Sequence, residues 1–198
     1  MASNIFKNFD AMLIENLEDA IEAKQSLLAD KQFAYNFVTV AELLVRAYQK
    51  GNRLYIAGNG GSAADAQHLA AEFVSKLARD RDPLPAEALT TDSSIITAIG
   101  NDYGYDKIFS RQILAKMKAD DVFLGITTSG NSPNIIHAVE QCKQIGCVNI
   151  VLTGPTGGKV ADLADYVLSV PGSRTSTIQE SHILICHSLC QAVESRFV

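Results

Sequence analysis

His68 and Glu72 stand four residues apart in the stretch SAADAQHLAAEF. At helical pitch that spacing puts an imidazole and a carboxylate on one face, a turn apart. Gln179 and His187 are eight residues apart in TIQESHILICHSLCQ. Eight residues carry a helix through about 800°, about 80° net, so both side chains can share a face. Two imidazoles, a carboxylate and an amide oxygen suit a divalent ion, and a nitrogen-rich set favours zinc. Spacing alone leaves a plainer alternative standing. A single histidine in an apolar helix is commonly a hydrogen-bonded core residue, and an i,i+4 His–Glu pair is commonly a surface contact. His182 competes near Gln179, and His137 has no evident partner.

Two loops have the composition of anion sites. Gly58-Asn59-Gly60-Gly61-Ser62 joins a short apolar run to a helical stretch. Glycines let a ligand approach the backbone, and the helix start offers free N–H groups. Read loosely, this is a dinucleotide fingerprint. No clear acidic residue follows the second strand, so a nicotinamide cofactor is disfavoured. The second loop is Thr127-Thr128-Ser129-Gly130-Asn131-Ser132. Four hydroxyl residues around a glycine, ahead of a helix, suit a phosphate monoester. Capping by Ser132 is the alternative, but a cap needs one hydroxyl rather than four. No Gly-Lys-Ser/Thr follows either loop, which excludes a Walker-type ATPase.

The elements that must position these residues can be read from periodicity. Residues 5–29 and 33–50 form two amphipathic helices, stopped at Gly51-Asn52. Short apolar runs follow at 53–57, 87–90, 122–126, 149–152 and 166–170. Helical segments at 92–100, 104–117 and 132–145 separate them, and a long helix at 175–197 ends the chain. Strands alternating with helices predict a parallel sheet covered on both faces, a three-layer α/β/α sandwich. Its ligands belong at the carboxyl ends of the strands. The surplus helices at either end point to packing against another copy of the chain.

Composition narrows the partners. The 198 residues fit one domain, and 47% of them are apolar. A net charge of −5 without a basic block argues against nucleic acid or an anionic membrane as main partner. The acidic N-terminus is no signal peptide, and no apolar run approaches the roughly 20 residues that span a bilayer. Cys142, Cys147, Cys186 and Cys190 form no CxxC pair, consistent with reduced cytoplasmic thiols. Cys186 and Cys190, a turn apart, read as core.

Taken together, AGNGGSAADAQHLAAEF, TAIGNDYG, FSRQ, GITTSGNSPN, VLTGPTGG and TIQESHILICHSLCQ resemble the SIS-domain phosphoheptose isomerases. The likeness runs from about residue 5 to the C-terminus, with the motifs in the family's order. It implies a single SIS domain over 1–198, with a flavodoxin-like sheet of five parallel strands and residues 1–50 packing a homotetramer. It also implies conversion of D-sedoheptulose 7-phosphate to D-glycero-D-manno-heptose 7-phosphate, the step that opens heptose synthesis for lipopolysaccharide or capsule.

Carried over by motif, His68, Glu72, Gln179 and His187 hold one zinc ion per subunit. Thr127, Thr128, Ser129 and Ser132 hold the phosphate. Asn59, Gly60, Gly61 and Ser62 line the sugar, and Asn101 and Asp102 meet its hydroxyls. Glu72 and His187 are the pair expected to transfer the proton through an enediol. Lys76 stands where many members carry arginine, which keeps the charge but not the bidentate fork. Two rivals remain. Relatives of this fold bind the bacterial replication initiator without catalysis, but they lose parts of the metal set. Sugar-phosphate-sensing regulators carry a DNA-binding domain, of which residues 1–50 give no sign.

Overall fold

The computed structural model describes the backbone of residues 2–198 and the side chains from residue 9 onward. Residues 1–8, part of the N-terminal sequence reading, therefore lie outside the described side chains. Two helices lead the chain, α1 (Ala2–Ala29) and α2 (Lys31–Gln49). Asp30 separates them, its carboxylate accepting from the amides of Gln32 and Phe33 at the start of α2. That N-cap satisfies two of the donors a helix start leaves open.

The strands are β1 (Leu54–Gly58), β2 (Ala86–Ala88), β3 (Val122–Thr127), β4 (Val148–Thr153) and β5 (Tyr166–Ser169). All pair in parallel, in the order β2-β1-β3-β4-β5. This is the expected flavodoxin-like sheet. β1 and β3 are buried at every position, as central parallel strands must be. Helices α3 (Gly61–Val74), α4 (Ser93–Tyr103), α5 (Ser110–Lys116), α6 (Pro133–Ile145), α7 (Gly158–Ala161) and α8 (Thr175–Glu194) cover it.

Strand alternation divides the core. Leu54, Ile56, Val122, Leu124, Ile150 and Leu152 pack beneath α2, α3 and α8. Tyr55, Ala57, Phe123 and Val151 point the other way, against α5, α6 and α7. So α3 and α8 share one face of the sheet, and each follows a parallel strand. They run side by side in the same direction, which brings Gly61 to Gln179 and His68 to His187. Cys186 and Cys190 are fully buried in this layer, as free thiols.

Two local expectations need correction. Residues 104–117 are not one helix. Gly104 takes a φ of 88°, a short 3₁₀ turn follows at Tyr105–Lys107, and α5 begins only at Ser110. The second strand is Ala86–Ala88 rather than 87–90. Leu89 still donates to the Ile56 carbonyl, but the chain then turns toward α4, whose Asp92 caps the Ile95 amide.

Candidate active site

The chain leaves β1 for β2 on one side and returns to β3 on the other. The carboxyl ends of β1 and β3 therefore flank a switch point, where open parallel sheets bind ligands. Gly58 pairs with Ile126 across that gap, so the glycine loop and the hydroxyl loop lie next to each other.

α3 starts at the glycine loop. Gly60, with φ 55°, makes the turn. Gly61 is a close approach: a Cβ there would lie 2.6 Å from Gln179 Nε2. The missing side chain lets the Gln179 amide from α8 lie against the start of α3. Two turns further on, the helices carry the three strongest metal ligands. Glu72 Oε1 is 3.1 Å from His68 Nε2 and 3.2 Å from His187 Nε2. The two imidazole nitrogens are 3.0 Å apart, with their rings at 78°.

This triangle fits a metal ion. Zinc bonds of about 2.0–2.1 Å in tetrahedral geometry set neighbouring donors about 3.3 Å apart. Sides of 3.0, 3.1 and 3.2 Å approximate one face of that tetrahedron. The second oxygen, Glu72 Oε2, is buried and has no hydrogen-bond partner among the described residues. A buried carboxylate left half-satisfied is costly unless a further group completes it.

Asp65 escaped the sequence reading. It precedes His68 by one turn, and its buried Oδ2 has no partner among the described residues. Burial raises its carboxyl pKa, against the opposing charges of His68 and His187. Its i,i+3 spacing to His68 was the available signal.

His182, the competing histidine, is a core residue. It is fully buried, with Nε2 3.1 Å from the Thr153 carbonyl. His137 pairs with Glu140 on the surface of α6 at 3.0 Å. Burial depresses the His182 pKa to about 4, with the Thr153 carbonyl pulling the other way. Above about pH 6.5 the residue is neutral folded and unfolded, and its contribution is complete. As pH falls from there toward 4, only the unfolded chain takes the proton, and up to about 3 kcal/mol of stability is lost. Denaturant titrations between pH 7 and 4 should show this slope, and His182→Asn should flatten it. Equal slopes in both proteins would overturn the assignment.

The hydroxyl loop is braced from beneath. Thr127 Oγ1 and Ser132 Oγ are 3.0 Å apart. Ser132 occupies the N-cap of α6 but makes no side-chain cap bond. Ser129 Oγ accepts from the Asn131 amide, and Asn131 Oδ1 accepts from the Lys159 amide. Gly154 N donates to Thr128 O, and Val160 N donates to Gly130 O. Asn59 and Asn134 exchange amide hydrogen bonds of 2.9 and 2.8 Å, and Tyr105 Oη donates to Asn59 Oδ1. The Asn59 amide therefore stitches the glycine loop to α6. Asn134 and Tyr105, neither anticipated, do the stitching. Ser62 is buried in the first turn of α3. Asn101 and Asp102 sit exposed at the end of α4, hydrogen-bonded to each other, outside the triangle.

Residues 18–154 match the SIS domain family. The chain is 53% identical to the phosphoheptose isomerase of Aneurinibacillus thermoaerophilus, over 90% of each chain. It is 47% identical to phosphoheptose isomerase 2 of Campylobacter jejuni, over 95% of this chain and 94% of that one. Among solved structures, the phosphoheptose isomerase of Neisseria gonorrhoeae superposes with a TM-score of 0.84 at 42% identity. That match covers 96% of this chain and 99% of the other.

Proposed function

The chain belongs to the phosphoheptose isomerase family of SIS domain proteins, and from that premise we propose that it converts D-sedoheptulose 7-phosphate to D-glycero-D-manno-heptose 7-phosphate. This is the first step toward the activated heptose of lipopolysaccharide or capsule. The observation that carries the reading is the convergence of His68, Glu72 and His187 ligand atoms within 4.8 Å, between two helices beside two anion-type loops. The family relatives favour the isomerase over the initiator-binding alternative.

The reaction moves a proton between C1 and C2 and a second between their oxygens. Glu72 serves as base. Its Oε1 belongs to the ligand triangle, 3.2 Å from His187 Nε2, which sets the base and the acid side by side. His187, its side chain about two-fifths exposed, serves as the acid for the oxygen. His68, Glu72 and His187 would hold one zinc ion per subunit; Gln179, whose amide lies against Gly61 two turns back along α3, is the fourth ligand that the family motif implies. When bound, that ion supplies Lewis-acid stabilisation of the enediolate charge. Thr127, Thr128, Ser129 and Ser132 bind the phosphate, whose remote binding energy orients the reacting end. Asn59 to Ser62 and Asn101-Asp102 complete the sugar site.

The assembly is a homotetramer of one-domain subunits in the cytoplasm. Supporting it, α1 turns Met12, Leu13, Leu17 and Ile21 to solvent, each more than half exposed. A run of that kind on one chain asks for a second copy. No helix of the described residues is long and apolar enough to cross a membrane.

The test is a turnover assay on sedoheptulose 7-phosphate. The purified protein should form the aldose, lose most of its rate after chelation, and recover with added zinc. A folded, zinc-loaded protein without turnover would refute the isomerase, and a rate indifferent to chelation would remove the obligatory metal.

A further inference from the structure

Arg81 and Glu194 form an ion pair inside the protein, away from the proposed substrate site. The Arg81 side chain has no exposure and that of Glu194 only 3%, with Nε and Oε2 3.5 Å apart. Burying two charges is expensive, and an apolar pair of similar volume is often no less stable. The bonds they make suggest what the pair provides instead.

Arg81 Nη2 donates to the main-chain carbonyl of Glu72 at 2.9 Å, and Nη1 donates to those of Phe73 and Asp82 at 2.9 and 3.0 Å. Glu72 and Phe73 lie in the last turn of α3, where carbonyls lack partners within the helix. The guanidinium thus caps the very turn that carries the Glu72 carboxylate. Glu194 accepts from the amides of Leu77, Ala78 and Arg79 at 3.0, 3.0 and 2.8 Å. Burial would raise its pKa, but the amides of Arg79, Leu77 and Ala78 and the Arg81 charge outweigh it and hold the carboxyl below its usual range.

Glu194 follows His187 by seven residues on α8, close to two full turns, so both stand on one face about 10 Å apart. α3 and α8 are therefore pinned at two levels. Glu72 meets His187 at one, and Arg81 meets Glu194 at the next.

We propose that Arg81, held by Glu194, is a positioning residue that fixes the Glu72 carboxylate against His187. The claim rests on Glu72 and His187 carrying the proton transfer. Arg81 touches neither the two anion-type loops nor a ligand atom of the triangle; its bonds reach the main chain of Glu72 and Phe73, so its loss reaches the site through the turn that carries Glu72. A shift near 1 Å in a reacting group costs about 100-fold in rate, and loss of groups supporting a metal ligand costs about 10- to 100-fold in affinity.

The experiment compares Arg81→Lys and Glu194→Gln with wild type and with Ile113→Val, a buried change on the opposite sheet face. Melting temperature, kcat, KM and zinc release to a competing chelator are measured for each. Arg81→Lys should lower kcat about 10- to 100-fold with KM within about twofold, and weaken zinc retention about 10-fold or more. Glu194→Gln should move both in the same direction by less. A kcat no lower than that of Ile113→Val at a matched melting temperature overturns the proposal, as does a fall in kcat with unchanged zinc retention. If Arg81→Lys does not fold, Glu194→Gln decides by the same criteria. Glu72→Gln, run alongside, separates the two claims. Full turnover there sinks the proton-transfer assignment itself. An inactive Glu72→Gln beside a wild-type Arg81→Lys sinks the positioning role alone.

Discussion

Glu72→Gln is expected to give a folded protein whose isomerase turnover is about 10²–10⁴-fold below wild type. Glutamine keeps the size of the side chain and can still place an oxygen toward His68 and His187. What it lacks is the charge and basicity of the carboxylate. An amide there cannot take a proton from carbon near neutral pH. The loss should fall on kcat, with KM nearly unchanged, because the phosphate loop after β3 is untouched. His187→Ala should show a comparable loss of kcat together with weaker zinc retention, since it removes one corner of the triangle. The fold should survive both changes: the His187 side chain is about two-fifths exposed, and Glu72 leaves no apolar cavity. Rates would be read at saturating sedoheptulose 7-phosphate, with circular dichroism as the check on folding. Full activity in Glu72→Gln would take this residue out of the chemistry.

The strands and most helices were legible because central parallel strands are apolar throughout and glycine or asparagine ends the segments. β1 and β3 meet that description, with every position buried. The 104–117 break was not legible. Gly104 stands among residues that suit a helix, and only its φ of 88° shows the chain reversing into the 3₁₀ turn. At the site, the His68–Glu72 pair followed from pitch alone. Its meeting with His187 did not, because the register of α3 on α8 is set by where β1 and β5 deliver them to the sheet. The same reason hid Asn134 and Tyr105, which reach Asn59 from 75 and 46 residues away. Arg81 was hidden differently. In ARDRD it looks like solvated loop charge, and nothing local reveals that Glu194, more than 100 residues on, draws it inside.

Gly130→Ala should be the most damaging single-methyl change in the proposed phosphate site. Gly130 has a φ of 65°, and a left-handed conformation costs an L-residue about 1–2 kcal/mol. The steric conflict adds to that. An added Cβ would sit 1.9 Å from the Gly157 carbonyl oxygen and 2.8 Å from the Gly158 Cα. Both are backbone atoms, so no side chain can rotate away. The hydroxyl loop must separate from the 154–158 loop, breaking the bonds from Val160 N to Gly130 O and from Gly154 N to Thr128 O. Together the strain and the overpacking come to about 2–5 kcal/mol of stability. The same displacement moves Thr128 and Ser129, so KM for the sugar phosphate should rise about 10-fold or more. Gly51→Ala isolates the strain. Gly51 has a φ of 80° at the end of α2, but no atom lies within 4 Å of the added methyl. It should lose only about 1 kcal/mol and keep its KM. Denaturant unfolding and steady-state kinetics on the two variants would decide the matter. A Gly130→Ala protein matching Gly51→Ala in both measurements would mean that the two loops are not locked together. The hydroxyl cluster would then lack the rigidity that phosphate binding asks of it.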